Sequence, residues 1–283
     1  RKLTTEELAE ELGDSDVLIA GTEYIDERVF KNAPNLKLIS RVGIGLDNID
    51  FKNCIKRGIR VAYTPDAPTM AVAEMVVGFM IGLSRNFRKS DREIKSGIWQ
   101  RHMGNLLYGK TIGVIGMGRI GKSVIHLLST FNANFLVNEI VFDYAYARLH
   151  RAEFVSKEEL LQKSDLVTVH VPLKNDTINL IDEIEFDLMQ PHSILINTSR
   201  GGIVNESALY NALKNNGIAS AAVDVFQEEP YNGKLSELDN CLLTAHLGAA
   251  SKESREQMEV QAVEEVIRFK NGEKFKNEVF ENA

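Results

Sequence analysis

Residues 114–121 read VIGMGRIG and set glycines at 116, 118 and 121. The spacing G-x-G-x-x-G lets a strand turn sharply into a helix, brings backbone N–H groups against a pyrophosphate, and packs helix close to strand. Alone the pattern is weak, so its neighbours have to carry the reading. Before it, TIGVIG (111–116) is a run of small and β-branched residues after the Gly109-Lys110 turn, as a buried parallel strand should look. After it, Ile120, Val124, Leu127, Leu128 and Phe131 recur at helical intervals, and Asn132 stands where a left-handed cap is tolerated. A short strand at 135–137 then leads to Glu139. A carboxylate about 20 residues past the glycines accepts the ribose hydroxyls of a dinucleotide and repels a 2′-phosphate. Glu139 is the leading residue for that role, which favours NAD over NADP; Asp143 is its rival.

Working outward, 283 residues are enough for two ordinary domains. With 33 basic and 40 acidic residues the net charge is −7, which argues against nucleic acid or an anionic membrane as partner. No apolar run reaches the roughly 18 residues of a spanning helix, and no secretory signal opens the chain. Cys54 and Cys241 lack metal spacing and read as two buried thiols, which favours a reducing, cytoplasmic setting. The sequence opens on Arg1 and on a helix, with a capping box at Thr4 and Glu7, where an α/β layer normally begins on a strand; residues before Arg1 are expected.

Up to residue 66 the pattern alternates: helix 4–12, strand 16–21, helix 26–32, strand 36–42, helix 50–57, strand 59–63. The stretch PTMAVAEMVVGFMIGLSRN (68–86) is too densely apolar for a one-sided surface helix and reads as a buried crossing helix that joins two domains. A second α/β layer runs from 110 to 246, with further strands at 166–171, 194–197, 219–225 and 242–245; Ser156 and Glu159 cap the helix before the first of these. Residues 251–270 form an amphipathic helix, with Met258, Ala262, Val266 and Phe269 on or near one face, expected to return to the first domain. The fold expected is two-domain α/β: a Rossmann-type dinucleotide-binding domain (68–250, including the crossing helix and an arm) inserted in a smaller, flavodoxin-like parallel α/β substrate domain (1–67 and 251–283).

Ligands of such sheets bind beyond the carboxyl ends of the strands, so polar residues just after strands carry the chemistry. In NTSRGGIVNE (197–206), Arg200 follows a buried strand and precedes two glycines; its guanidinium can fork onto a carboxylate, or make an ordinary surface pair. In AAVDVFQEEP (221–230), Asp224 stands at a strand end, with Glu228 and Glu229 beyond it. In TAHLGAAS (244–251), His246 directly follows a strand. His102, His126, His150 and His192 read as surface positions, and His170, sharing a strand end with Pro172, reads as lining the adenine side of the cofactor crevice. A His–Glu pair suits hydride chemistry. Reducing a ketone requires a proton for the developing alkoxide, imidazole exchanges protons near neutral pH, and a carboxylate on its far nitrogen holds the ring.

Taken together, SRVGIGLDNID (40–50), VIGMGRIG (114–121), HVPL (170–173), NTSRGGIVNE, DVFQEEP (224–230) and TAHLGAAS are similar, in order and over nearly the whole chain, to the D-2-hydroxyacid dehydrogenase family. The resemblance implies a catalytic set of Arg200, which orients the substrate, His246, the acid/base, and Glu229, which supports it. It also implies NAD as cofactor, held by Gly116, Gly118, Arg119, Ile120, Gly121, Glu139, His170, Val171, Pro172, Thr198, Ser199, Asp224 and Gly248, with Asp224 by the nicotinamide carboxamide. The substrate carboxylate would meet the backbone of Val42 and Gly43, a glycine turn able to form an anion-binding concavity. Arg41 resembles the arginine that D-3-phosphoglycerate dehydrogenases place near the substrate phosphate, which makes oxidation of D-3-phosphoglycerate, the entry to serine biosynthesis, the leading activity. Glyoxylate, hydroxypyruvate or another 2-oxo acid is the alternative, and the sequence carries no counterpart of the serine-sensing regulatory domain. Formate dehydrogenases pair their His with Gln, so Glu229 argues against that branch. Departures from the family pattern are the polar Asn134 and Asn138, Glu139 for a more frequent Asp, Asn205 for Asp and Ala245 for Pro.

Residues 68–110 are implied as the arm of a homodimer, with Trp99 and Arg101 in SGIWQRHMGN at the contact; the alternative for the single tryptophan is a core anchor. A rival from another class is a dinucleotide-sensing, corepressor-like binding protein, since fold alone does not choose function. No metal site is expected.

Overall fold

The computed structural model describes residues 3–279; residues 1–2 and 280–283, the two ends of the expected first domain, lie outside them. Contacts divide the chain into two compact units, Arg1–Thr69 with Ala249–Ala283, and Met70–Gly248.

The first unit opens with α1 (Thr5–Leu12), where Thr4 accepts from the Glu7 N–H at 3.1 Å and Glu7 accepts from the Thr4 N–H at 2.9 Å, the capping box expected. Then come β1 (Val17–Ala20), α2 (Glu27–Asn32), β2 (Leu38–Arg41), α3 (Phe51–Arg57) and β3 (Arg60–Tyr63). The strands form one parallel sheet in the order β1-β2-β3. All four residues of the central strand β2 are buried, because helices cover both its faces. One face packs Ile39 and Val61 with Leu8, Val29, Phe30 and Cys54 from the three helices.

The second unit begins with α4 (Thr69–Ser84) and α5 (Phe87–Lys95). The helix expected over 68–86 forms as α4; the chain then turns at Asn86, which adopts φ 56°, and α5 continues at a bend of 62°. Within this chain, α4 buries one face, Val72, Ala73, Val76 and Met80, and leaves Met75, Val77, Ile81 and Leu83 only partly buried. Next follow β4 (Thr111–Ile115), α6 (Arg119–Leu128), β5 (Asn134–Asn138), α7 (Tyr144–His150), β6 (Ala152–Phe154), α8 (Lys157–Lys163), β7 (Leu166–Val169), α9 (Glu183–Leu188), β8 (Ile194–Asn197), α10 (Glu206–Lys214), β9 (Ser220–Val223) and β10 (Cys241–Leu243). All pair in parallel, in the order β10-β9-β8-β7-β4-β5-β6. Alternate residues face two cores: Val167, Val169 and Leu195 pack with α8 and α10, Leu166, Ile194 and Ile196 with α4 and α6. The edge strand β6 has only three residues and no alternation to announce it, so the sequence reading passed over it.

The chain returns to the first unit in α11 (Lys252–Lys270), where Met258 and Ala262 pack with Val42 and Ala67. The Ser40 hydroxyl donates to the Ala262 carbonyl at 2.8 Å. Charged Glu265 is also buried on this helix; its carboxylate accepts from the Lys276 N–H at 3.2 Å and pairs with Arg268. Among the described residues no single helix is long and apolar enough to cross a membrane.

Candidate active site

In the large sheet the strand order reverses between β4 and β7, so the turns after these two strands diverge and leave room for a ligand. Gly116 ends β4 at φ 93°; a Cβ there would lie 2.9 Å from the His170 carbonyl. At Gly121 a Cβ would meet the Gly116 oxygen at 2.2 Å, so helix and strand touch only because both residues are glycine. Gly118 differs: a Cβ there meets nothing within 4 Å, so no packing in this chain calls for a glycine. Gly118 also caps α6 without a side chain, and Arg119, Ile120 and Gly121 form its first turn, where N–H groups lack helical partners and the dipole favours an anion. Nearby in register, just past β8, the buried Thr198 hydroxyl has no hydrogen-bond partner in the protein. A bare cradle, a helix N-terminus and an orphaned hydroxyl fit the pyrophosphate and ribose of a dinucleotide.

Glu139, at the end of β5, reaches this loop. One carboxylate oxygen accepts from the Met117 N–H at 2.6 Å, the other from Ile140 and Val141 at 2.7 and 3.2 Å. Asp143 does not compete for the place: it caps α7 through the Tyr146 N–H and pairs with Lys122 at 2.5 Å, and that lysine holds its carboxyl below the usual range. Past β7, the His170 N–H donates to Ile115 at 2.7 Å, and its ring Nε2 lies 2.9 Å from the Thr168 hydroxyl. Burial pushes His170 down to about 3, so its ring is neutral. Val171 is partly buried and Pro172 exposed behind it.

Three strand ends carry the expected catalytic residues. After β10, His246 adopts φ 53°, a conformation uncommon for a residue with a Cβ. Its ring Nδ1 lies 3.0 and 3.2 Å from the two carboxylate oxygens of Glu229, and about half of the side chain is open to water. Glu229 is fixed in turn, accepting from the Phe226 N–H at 3.1 Å. Sequence spacing could not bring these two together; the parallel pairing of β9 and β10 does. After β8, Arg200 lies in a turn where its Nη1 donates to the Ser199 carbonyl at 2.7 Å. Ser199 anchors the turn by donating to the Val169 carbonyl at 2.7 Å. Gly201 packs so tightly against the Phe226 backbone that a Cβ would lie 2.0 Å from it, which joins the Arg200 turn to the loop that carries Glu229.

Asp224 is fully buried, and both its oxygens are engaged by the His246 loop. Oδ1 accepts from the Thr244 hydroxyl and from the Leu247 N–H at 2.7 Å; Oδ2 accepts from the Gly248 N–H at 2.8 Å. The His246 N–H itself donates to the Asp224 carbonyl at 2.9 Å. One residue therefore brackets the left-handed histidine from both sides, with Gly248 needed for close approach.

In the first unit, Arg41, at the end of β2, is turned inward. It is 7% exposed, and its Nη1 donates to the carbonyl of its neighbour Val42. Gly43 follows at φ 138°, with a Cβ position 3.0 Å from that guanidinium. The donors expected to form an open concavity already have protein acceptors: Val42 N–H donates to Ala20 at 2.9 Å and Gly43 N–H to the Thr64 hydroxyl at 2.7 Å.

Sequence reasoning missed the polar side chains that support these turns: the buried Asn197, the part-buried Thr244, and Glu206, which accepts from the Gln227 N–H at 2.7 Å, in the second unit, and the buried Thr64 in the first. Asn197 lies within a quoted motif and could have been singled out as a polar residue closing an apolar strand. His102, read as a surface position, is largely buried against Glu93. Trp99 is 83% exposed, so it anchors no core in this chain. Both cysteines are free and buried, as expected, and burial pushes each thiol up to about 12. Among the described residues no cluster of three or more His, Cys, Asp or Glu could hold a metal.

Comparison with known proteins places this geometry. Residues 77–248 match the family described as D-isomer specific 2-hydroxyacid dehydrogenase, NAD binding domain. A glyoxylate reductase of Pyrococcus furiosus is 39% identical over 96% of this chain and 84% of its own length. A D-3-phosphoglycerate dehydrogenase of Methanocaldococcus jannaschii is 38% identical over 98% of this chain but only 54% of its own. Among solved structures, the D-lactate dehydrogenase of Aquifex aeolicus complexed with NAD and lactic acid superposes with a TM-score of 0.86 at 27% identity, over 93% of this chain and 85% of that one. The chain thus belongs to the D-isomer specific 2-hydroxyacid dehydrogenases, NAD-dependent oxidoreductases of the two-domain Rossmann kind.

Proposed function

We propose that this chain reduces small 2-oxo acids of the glyoxylate and hydroxypyruvate class to D-2-hydroxy acids with NADH. The observation that carries this reading is the His246–Glu229 pair, 3.0 Å apart, at the same sheet edge as the dinucleotide cradle. NADH, when bound, supplies the hydride that adds to the substrate's carbonyl carbon. The residues do the rest. Arg200 forks onto the substrate carboxylate and carbonyl and lowers the cost of negative charge on the oxygen. The Glu229 carboxylate accepts from His246 Nδ1–H, which leaves Nε2 to deliver the proton that the developing alkoxide takes up; in the reverse direction Nε2 takes it back. Glu139, spending both oxygens on the glycine loop and the turn after it, sets a negative charge where a 2′-phosphate would lie and so favours NADH over NADPH.

The size of the substrate is argued from Arg41. Its guanidinium is buried and turned onto its own turn, which supports an acid without a phosphate. The long match to a glyoxylate reductase supports the same choice. A second reading, oxidation of D-3-phosphoglycerate to phosphohydroxypyruvate, is favoured by the presence of an arginine at that turn and by the archaeal relative that carries this name. The test follows NADH and NADPH oxidation with glyoxylate, hydroxypyruvate, pyruvate, 2-oxoglutarate and phosphohydroxypyruvate. Fastest turnover of glyoxylate or hydroxypyruvate bears the proposal out. If phosphohydroxypyruvate wins, and Arg41→Ala raises its KM alone, the second reading replaces it.

The same proposal includes a homodimer and a cytoplasmic setting. Trp99, Met103, Leu106 and Tyr108 are exposed on one arm, and α4 leaves an apolar face half covered; a second copy is the occupant these surfaces fit. Light scattering should give twice the chain mass of 31.7 kDa, and Trp99→Glu should lower it toward the single chain. Two free buried thiols support the reducing compartment.

A further inference from the structure

The Arg200 turn is fastened without apolar side chains. Thr198 and Ser199 are polar, Gly201 and Gly202 have no side chains, and the segment contributes no apolar group to either core before Ile203. A guanidinium that must meet a carboxylate with both prongs tolerates small errors of direction poorly, because the fork geometry is rigid. Something else has to fix the direction of its Cα–Cβ bond.

We propose that Asn197 is the positioning residue for Arg200, setting the direction of the guanidinium through the Arg200 peptide and thereby the affinity of the site for the 2-oxo acid. Asn197 is the last residue of β8 and is 2% exposed. Its amide nitrogen donates to the Arg200 carbonyl at 3.1 Å, and its amide oxygen accepts from the Ser199 N–H at 3.1 Å. The side chain therefore closes the turn on both sides of the Ser199–Arg200 peptide. On this turn the Ser199 hydroxyl holds the residue before Arg200 and the Gly201 contact holds the one after, while Asn197 takes the Arg200 carbonyl. Its own backbone is tied to the other half of the site, since the Asp224 N–H donates to the Asn197 carbonyl at 3.0 Å. Arg200 is thus referred to the same strand end that brackets His246. Only an amide meets both demands from one buried position, because a carboxylate has no donor for the Arg200 carbonyl and a hydroxyl is too short to span both groups.

This inference rests on the proposed 2-oxo acid reduction, and the experiment separates the two. Wild-type turnover of glyoxylate is measured first; if no 2-oxo acid is turned over, the activity proposal falls, and oxalate binding to the NADH-loaded protein, followed by calorimetry, still reads the Arg200 geometry without chemistry. Asn197→Asp keeps the acceptor for Ser199 and sets a carboxylate against the Arg200 carbonyl. The expected result is a loss of about 10- to 100-fold in kcat/KM, carried mainly by KM, with oxalate affinity falling in parallel. NADH affinity should stay near wild type, while the melting temperature falls because a buried carboxylate faces a carbonyl. In an Arg200→Lys background, where the fork is already gone, the same substitution should cost no more than about twofold. An unchanged kcat/KM, an equal loss of NADH and oxalate binding, or an undiminished loss in the Arg200→Lys background overturns the inference. Should Asn197→Asp fail to fold, Asn197→Ser is measured against the same criteria.

Discussion

Two histidines stand just past parallel strands of the same seven-stranded sheet, one after β7 and one after β10, and their surroundings are opposite. His170 is half-buried, faces the Thr168 hydroxyl and is pushed down to about 3 by desolvation, so it stays neutral through the physiological range. His246 is half open to water, lies 3.0 Å from the Glu229 carboxylate and takes a left-handed backbone. Residue type and place after a strand are shared, so neither decides the role. What decides it is the partner on the far ring nitrogen and the access of a reacting group to the near one. A ring against a hydroxyl, with no acid beside it, is a packing and hydrogen-bonding piece; a ring against a carboxylate and facing solvent can exchange protons.

The sharpest way to break this contrast is to swap the two sites' losses. His246→Gln should lower kcat by about 100- to 10,000-fold, the range a positioned acid/base supplies, while leaving NADH affinity in place. Comparable losses from His170→Gln in kcat would show that the roles had been assigned to the wrong ring. Glu229→Gln comes next. It removes the charge but keeps an acceptor for His246 Nδ1 and for the Phe226 N–H, so the fold should hold while kcat falls by about 10-fold or more and the pH dependence of kcat/KM moves. An unmoved pH profile would mean that Glu229 only packs against the ring.

How much of this was legible beforehand follows from which partners are local. VIGMGRIG announces its own turn, because strand, glycines and helix are contiguous, and Arg200, Asp224 and His246 could be found as polar residues just past apolar strands, whereas Glu229 was singled out through the family resemblance. The spatial pairings could not be read. Asp224 was expected beside the cofactor, but the His246 loop, some twenty residues on, takes both its oxygens. Arg41 was expected to reach out to a phosphate and instead folds back on Val42, since a buried strand end offers it a carbonyl nearer than solvent. Glu139 was expected as the ribose ligand; its bond to the Met117 N–H, which depends on how β4 and β5 lie side by side, could not be read. That bond gives the next prediction: Glu139→Ala should loosen the glycine loop and narrow the preference for NADH over NADPH by about 10-fold, measured as the ratio of kcat/KM values. If the ratio does not move, the ribose is held elsewhere.

The smallest effect expected is on stability, and it isolates the half-buried His170 ring. The ordinary value for a histidine is 6.5, and burial lowers that of His170 to about 3. The folded protein therefore favours the neutral ring, while the unfolded chain protonates freely once the pH drops below the ordinary value. The contribution is fully present above about pH 6.5 and is lost as the pH falls toward 3, amounting to about 2 kcal/mol by pH 5. His170→Gln keeps a neutral group that can bond to Thr168 and removes the titration. Urea unfolding at pH 7.5 and at pH 5 should then show wild type losing stability relative to the variant by about that amount, with m-values unchanged. Parallel curves at the two pH values would mean that water reaches the ring and solvates its charge. In that case His170 and His246 would share the same access to solvent, and the acid partner alone would have to account for the difference between them.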